Sequence, residues 1–231
     1  MTPPRQLALD LPARPALGRA EFYVAGPNRL ALAQIDRWPD WPDGKLAVVG
    51  PPASGKTHLA HVWAARAAAQ IIPAAALPAF DLARIAENCA VAVEDADGIP
   101  ALGLEAARAE EKLFHLHNRL ALGGGTLMVT GAGRPATWRL RLPDLASRLR
   151  ACVVAELAPP DDALLAAVLV KLFSDRQLEV SPEVIDYLLP RIERTFAGAR
   201  AVVMRLDRMA LARRRQVTVR LAAELLADDA H

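Results

Sequence analysis

Lysine is the scarcest charged residue in this 231-residue chain: of 28 basic residues only Lys45, Lys56, Lys112 and Lys171 are lysines. Together with abundant alanine this bias reads as the imprint of a GC-rich genome, so a lysine that persists marks a place where arginine will not serve. Cysteine is nearly missing. Cys89 and Cys152 stand far apart without the partner spacing of a zinc site or redox motif, and read as small buried apolar residues. Long apolar runs are missing too. Stretches such as 163–170, cut off by Lys171, fall well short of the roughly 18–20 residues that a bilayer core requires, which excludes a membrane span. Residues 1–17 carry three prolines before Ala13 and an Asp inside their short apolar run, unlike a secretory signal, and the chain is expected to be cytoplasmic. Finally, no charge of one sign dominates. A net charge of +2 leaves no footprint of an autonomous duplex-DNA binder, so direct specific DNA binding is not expected. What is present is 53% hydrophobic residues and a mean hydropathy of +0.16, enough for a real core. The length suits one large domain, or one domain with a small appendage.

Residues 1–20 are proline-rich and irregular, which predicts a flexible N-terminal tail. Beyond it, short apolar runs alternate with helical patterns. Lys45–Val49, Ile71–Ile72, Ala90–Val93, Thr126–Thr130 and Cys152–Ala155 read as strands. Thr57–Ala69, Pro78–Ala86 and Glu105–Leu122 read as helices, the last with Leu113, Leu116 and Leu120 on one face and a stop at Gly123–Gly125. This alternation predicts βαβ units and an α/β, three-layer parallel sheet spanning 21–158. After Pro159–Pro160 only helical patterns remain, at Asp161–Arg176, Pro182–Leu189, Gly198–Arg213 and Leu221–Leu226. Residues 159–231 are therefore expected to form a small helical subdomain.

The sharpest chemical signal is Gly50-Pro51-Pro52-Ala53-Ser54-Gly55-Lys56-Thr57, a complete G-x-x-x-x-G-K-T between a predicted strand and helix. Glycines let successive backbone N–H groups turn onto phosphate oxygens, and the helix N-terminus adds partial positive charge. Lys56 would reach the β and γ phosphates and the Thr57 hydroxyl would ligate Mg²⁺. Here a scarce lysine makes sense, because the phosphates call for a compact point charge. Glu94 and Asp95 end the predicted strand 90–93, where acids of a P-loop ATPase would hold Mg²⁺ and polarise water. Acidic residues also simply end strands, so the P-loop upstream is what favours function. Thr130 ends the next strand, where a hydroxyl could position water.

Other groups read more blandly. His58 and His61 lie at i and i+3, whereas His115 and His117 lie at i and i+2, which share no helix face. No third ligand stands at metal spacing, and no metal site is expected from the histidines. Arg213–Arg215 reads as a solvated helix end.

These residues resemble the AAA+ ATPases related to the replication initiator DnaA, and within them the Hda family of DnaA-homologous regulators, from about Phe22 onward. Phe22-Tyr-Val24-Ala-Gly-Pro-Asn28 is similar to the family's adenine-pocket segment. Gly55-Lys-Thr-His58-Leu-Ala-His61 follows its P-loop helix, which accounts for both histidines without metal. Leu142-Pro-Asp-Leu-Ala-Ser-Arg148-Leu resembles box VII, whose arginine completes a neighbouring subunit's nucleotide site. Gly198-Ala-Arg200 falls at the sensor II arginine of the lid. Gln6-Leu7-Ala8-Leu9-Asp10-Leu11 resembles the sliding-clamp-binding hexapeptide. An extended segment of this kind could seat Leu9 and Leu11 in an apolar pocket.

The resemblance implies an AAA+ core with a C-terminal lid, and no DnaA-type helix-turn-helix after the lid. It implies ATP or ADP with Mg as cofactor, ADP favoured, and Gly50–His58, Phe22, Val24, Asn28 and Arg200 around the nucleotide. The implied partners are the clamp, through Gln6, Leu7, Leu9 and Leu11, and DnaA, whose bound ATP Arg148 would help hydrolyse so that replication does not re-initiate. Homo-oligomer formation stays open. Glu94 stands where Asp-first pairs are common, which suits a regulator with weak hydrolysis of its own. The alternative is a self-contained P-loop ATPase such as a helicase loader or a P-loop kinase.

Overall fold

The computed structural model describes residues 26–228, except Glu87 and Arg214. Five strands, β1 (Lys45–Val49), β2 (Gln70–Pro73), β3 (Ala90–Glu94), β4 (Thr126–Gly131) and β5 (Val153–Glu156), form one sheet in the order β2-β3-β4-β1-β5. Every pairing is parallel; Val49, for example, stands opposite Gly131 on one side and Glu156 on the other. A parallel sheet must be covered on both faces, and the continuous apolar run of β1 is buried at all five positions.

Because side chains alternate across a strand, each strand feeds both covering layers. Ala47, Val49, Val91, Val93, Leu127 and Val129 point to one face, where α3 (Ala106–Leu122) supplies Leu113, Leu116 and Leu120, and α4 (Pro143–Ala151) supplies Leu145 and Leu149. Leu46, Val48, Ala92 and Met128 point to the other. There they meet Ala31, Leu32 and Ile35 of α1 (Gly26–Asp36) and Leu59, Ala60 and Trp63 of α2 (Lys56–Ala67). Truncating a fully enclosed leucine such as Leu116 to alanine would cost about 2–5 kcal/mol. α3 stops as its sequence predicts: the N–H of Gly125 returns to the Leu120 carbonyl at 2.8 Å, and Gly124 takes a left-handed φ of 68°.

The C-terminal third is α5 (Asp162–Ser174), α6 (Pro182–Leu188), α7 (Phe196–Arg213) and α8 (Val219–Asp228). Its buried residues, from Leu165 to Leu225, form a cluster of their own, separate from the two that sandwich the sheet. The Asp161 carboxylate caps α5 by accepting from the Leu164 N–H at 2.8 Å. Arg213 ends α7 ion-paired to Glu224 rather than simply solvated.

Three readings need correction. Residues 78–86 form no α-helix. Two 3-10 turns, Ala74–Ala79 and Leu82–Arg84, occupy this stretch. Pro73 and Pro78 cannot donate to a longer helical ladder, although Leu77 and Ile85 are buried as a helical pattern would have them. Two helices, α1 and α4, were not expected. Both cysteines are half-buried rather than enclosed, since each lies in the loop just before a strand. Burial still raises both thiols, Cys152 to about 11. Among the described residues no helix is long and apolar enough to cross a membrane.

Candidate functional site

The C-terminal ends of β1, β3 and β4 converge, and the loops that follow them carry most of the predicted chemistry. From β1 the chain passes into Gly50, whose N–H reaches the Gly131 carbonyl at the end of β4. A Cβ at Gly50 would lie 2.7 Å from both the Leu157 carbonyl and the Ser54 hydroxyl, so this position admits no side chain without movement. Ala53 and Gly55 both adopt left-handed φ, 55° and 97°, and bend Pro51–Ser54 back toward the first turn of α2. Such a bend in front of a helix N-terminus is the backbone geometry that gathers N–H groups around an anion.

Lys56 opens α2 and is nearly buried, its ammonium donating to the Gly50 and Pro51 carbonyls at 2.9 Å each. Burial lowers its pKa, while Asp95 and Asp97 pull it back up. Thr57 is exposed and lies close enough to the Glu94 carboxyl to favour its charged form. Burial raises the Glu94 pKa, with Thr57 and His61 opposing the shift and Asp95 adding to it; one carboxyl oxygen, Oε1, is enclosed without a hydrogen-bond partner. The buried Ser54 hydroxyl is likewise unpartnered. Asp95 takes a left-handed φ of 55°, and its N–H donates to the fully buried Thr130 hydroxyl at 3.0 Å. β4, running between β1 and β3, thus ties the acidic end of β3 to its own tip. Orphaned oxygens on Ser54 and Glu94, a cradle that a Cβ would fill and an ammonium held only by carbonyls are together a donor set suited to a phosphate chain with a divalent cation.

Asn28, near the start of α1, is 3% exposed. Phe22 and Val24, and Gln6, Leu7, Leu9 and Leu11 of the N-terminal hexapeptide, lie outside the described residues. His58 is half-buried on α2, one residue beyond Thr57. Arg200 is exposed on α7, just after Gly198, where a Cβ would meet the Glu193 carbonyl at 2.5 Å. Among the described residues Arg200 pairs with no carboxylate.

Arg148 is not brought to this site. It lies in the last turn of α4, exposed, and lines a cavity of about 600 Å³ together with Lys45, Thr126 and Cys152. Lys45 and Thr126 are the first residues of β1 and β4, and Cys152 immediately precedes β5. The cavity therefore opens at the opposite edge of the sheet from Gly50. At about 3.3 Å per residue, the five residues of β1 separate the two edges by roughly 16 Å.

Sequence reasoning missed Asp97, which helps hold Lys56 charged and would sit 2.8 Å from a Cβ on Gly131, and it missed Glu110. Glu110 is 1% exposed and accepts from the backbone N–H groups of Arg141 (2.9 Å) and Leu142 (2.6 Å). A signal for it existed. Glu110 falls on the apolar stripe 106, 109, 113, 116, 120 of α3, and a carboxylate among such positions must find donors.

Comparison with known proteins bears on the fold that carries this geometry. Residues 162–226 match the Hda lid-domain family. Domain III of the Thermotoga maritima replication initiation protein DnaA superposes with a TM-score of 0.77 at 18% identity, over 94% of this chain and 98% of that one. AMPPCP-bound DnaA from Aquifex aeolicus gives 0.69 at 19% identity, over 85% of this chain and 66% of that one. The Holliday junction branch migration motor RuvB of Thermotoga maritima gives 0.62 at 17%, over 84% and 64%. This chain thus spans slightly less than two thirds of those longer proteins. The fold is thus the parallel α/β module seen in those DnaA and RuvB structures, and the helical cluster after it matches the Hda lid-domain model.

Proposed function

We propose, from the premise of an Hda-type lid on a DnaA-type AAA+ module, that this chain is a regulatory nucleotide-binding protein that promotes hydrolysis of DnaA-bound ATP. The observation that carries the reading is the placement of Arg148. Some 16 Å of strand lies between the edge of the sheet that holds it and the chain's own P-loop, so its guanidinium can serve only a nucleotide held by another molecule. An arginine supplied in trans stabilises charge developing on the γ-phosphate and is worth about 10³ to 10⁵ in rate.

The P-loop end would hold the chain's own adenine nucleotide, ADP being favoured. The backbone of 50–57 and the Lys56 ammonium would contact phosphate, Asn28, Phe22 and Val24 the base, and Arg200 of the lid a phosphate. Thr57 and Glu94 would hold Mg, which supplies charge neutralisation at the phosphates when bound. Glu94 and Asp95 flank that position, and Thr130 is committed to the Asp95 N–H, with its own proton left to orient water. Glu94 reaches further than the Asp common at the first position of such pairs, in keeping with weak hydrolysis by the chain itself.

Gln6–Leu11 would dock on the DNA-loaded sliding clamp, which brings the chain to DNA without a DNA-binding surface of its own. The setting is the cytoplasm, and the outcome is ADP-bound DnaA and no re-initiation. The test measures DnaA ATP hydrolysis with DNA-loaded clamp, with and without this protein, beside a variant altered at Gln6 and Leu9. Stimulation lost in that variant is expected. No stimulation, or stimulation indifferent to those two residues, overturns the reading, and substantial turnover by the isolated chain would favour a self-contained ATPase instead.

A further inference from the structure

α3 carries Glu110, Phe114 and His117 at i, i+4 and i+7, one face of the helix, and all three bear on the segment that ends in Arg148. Glu110 holds its beginning. The buried carboxylate accepts the Arg141 and Leu142 N–H groups, and Leu142 is the N-cap of α4, followed at once by Pro143. Leu142 has no polar side chain to cap α4; what α3 supplies is an anchor for the two N–H groups that lead into the helix. No arginine or lysine pairs with Glu110 among the described residues, so these backbone bonds are what its buried charge is given. Phe114 holds the other end: the Arg148 guanidinium carbon lies 5.2 Å from the centre of its ring. His117 lines the cavity beside Arg148, and burial, together with the Lys45 and Arg148 charges, lowers its pKa to about 4, so it is neutral there.

We propose that Glu110 and Phe114 are the positioning residues for Arg148. Glu110 sets where α4 starts, and with it the rotation that carries Arg148 to the sheet edge; Phe114 holds the planar guanidinium extended there before a partner arrives. This rests on the reading of Arg148 as an arginine acting in trans. Misplacement of such a group by about 1 Å can cost as much as 10²-fold in rate, so neither residue needs to touch nucleotide to matter.

The experiment titrates the full-length protein into clamp-stimulated DnaA ATP hydrolysis and separates the maximal rate from the half-saturating concentration. Glu110→Gln keeps size and one acceptor oxygen, but removes the charge and sets an amide NH2 in place of the Oε1 that the Arg141 N–H also reaches. It is expected to lower the maximal rate about tenfold, with the half-saturating concentration and the thermal shift given by ADP unchanged. Phe114→Leu, at a half-exposed position that tolerates change, is expected to lower it three- to tenfold, in the manner of about 1 kcal/mol of cation–π contact. In an Arg148→Lys background, whose ammonium has no plane to lay on the ring, Phe114→Leu should cost distinctly less. The proposal is overturned if both variants keep the full maximal rate, if the loss lies wholly in the half-saturating concentration, or if the Phe114→Leu loss multiplies undiminished on Arg148→Lys. If Arg148→Ala itself keeps full stimulation, the trans reading falls and this proposal with it. If Arg148→Ala abolishes stimulation while Glu110→Gln and Phe114→Leu do not lower it, only the positioning proposal falls.

Discussion

The two edges of the sheet hold a charged group, which the proposed function sets against phosphate at both, by opposite means. At the C-terminal edge the work is done by one contiguous stretch of backbone: Gly50, two left-handed residues and the first turn of α2, with Lys56 anchored on carbonyls of its own loop. At the other edge Arg148 has no loop of its own. It depends on a second helix, through Glu110 beneath the start of α4 and Phe114 under the guanidinium. A site made of local backbone is rigid on its own, whereas one made across two helices is only as good as their packing.

The largest expected effect breaks the comparison at the arginine edge alone. Arg148→Ala should lower the maximal stimulated hydrolysis by about 10³ or more, while leaving untouched the ADP-dependent rise in melting temperature that reports the other edge. The reciprocal change is Lys56→Ala. Nucleotide at 100 times its dissociation constant should stabilise the parent protein by about 2.7 kcal/mol, and differential scanning calorimetry should show most of that shift gone in the variant.

A pH experiment compares the buried titratable groups of the two edges. His117, with a pKa lowered from 6.5 to about 4, binds its proton more readily in the unfolded chain. Stability should therefore fall as pH drops from about 6.5 toward 4, by on the order of 2 kcal/mol, and level off below. Glu94 runs the other way. Its raised pKa favours the protonated form in the fold, so its share of stability is full below the ordinary carboxyl range and is lost as pH rises through its higher folded value. Urea unfolding across pH, with His117→Gln and Glu94→Gln each flattening its own limb, checks both signs. Smaller again is Gly50→Ala, expected to destabilise by about 1–3 kcal/mol at neutral pH through overpacking against the Leu157 carbonyl. The smallest is a control at neither edge: breaking the exposed Lys171–Asp175 pair of α5 with Lys171→Ala should change stability by no more than about 0.5 kcal/mol.

The same contrast explains what could be read from the sequence. β1 was legible to the residue because Gly44 and Gly50 bracket a continuous apolar run that only a two-faced strand can bury. The P-loop was legible because its chemistry demands neighbours in sequence. α4 was not. Leu142–Ala151 has a proline at its second position, mixes an aspartate, a serine and two arginines with its apolar residues, and is held by Leu145 and Leu149 meeting the sheet and by Glu110 gripping the chain just ahead of the helix. Nothing within the segment announces that grip. Residues 78–86 misled in the opposite sense, since Leu77 and Ile85 are buried at helical spacing while two prolines keep the backbone in short turns. Arg148 had a residue type but no address, and only the topology, with α4 descending from the tip of β4 to the foot of β5, says which edge it occupies.

With Arg148 acting in trans as proposed, the roughly 16 Å of β1 between the edges would also set a rule of assembly. A molecule that offers an arginine at one end and a nucleotide at the other cannot satisfy both with a two-fold partner, in which like surfaces face one another. Contacts made through both ends are heterologous and run head to tail. Unless the rotation between neighbours closes a ring, each addition leaves one unfilled end, so a row of such modules has a direction, and whichever molecule stands last decides whether the row can grow.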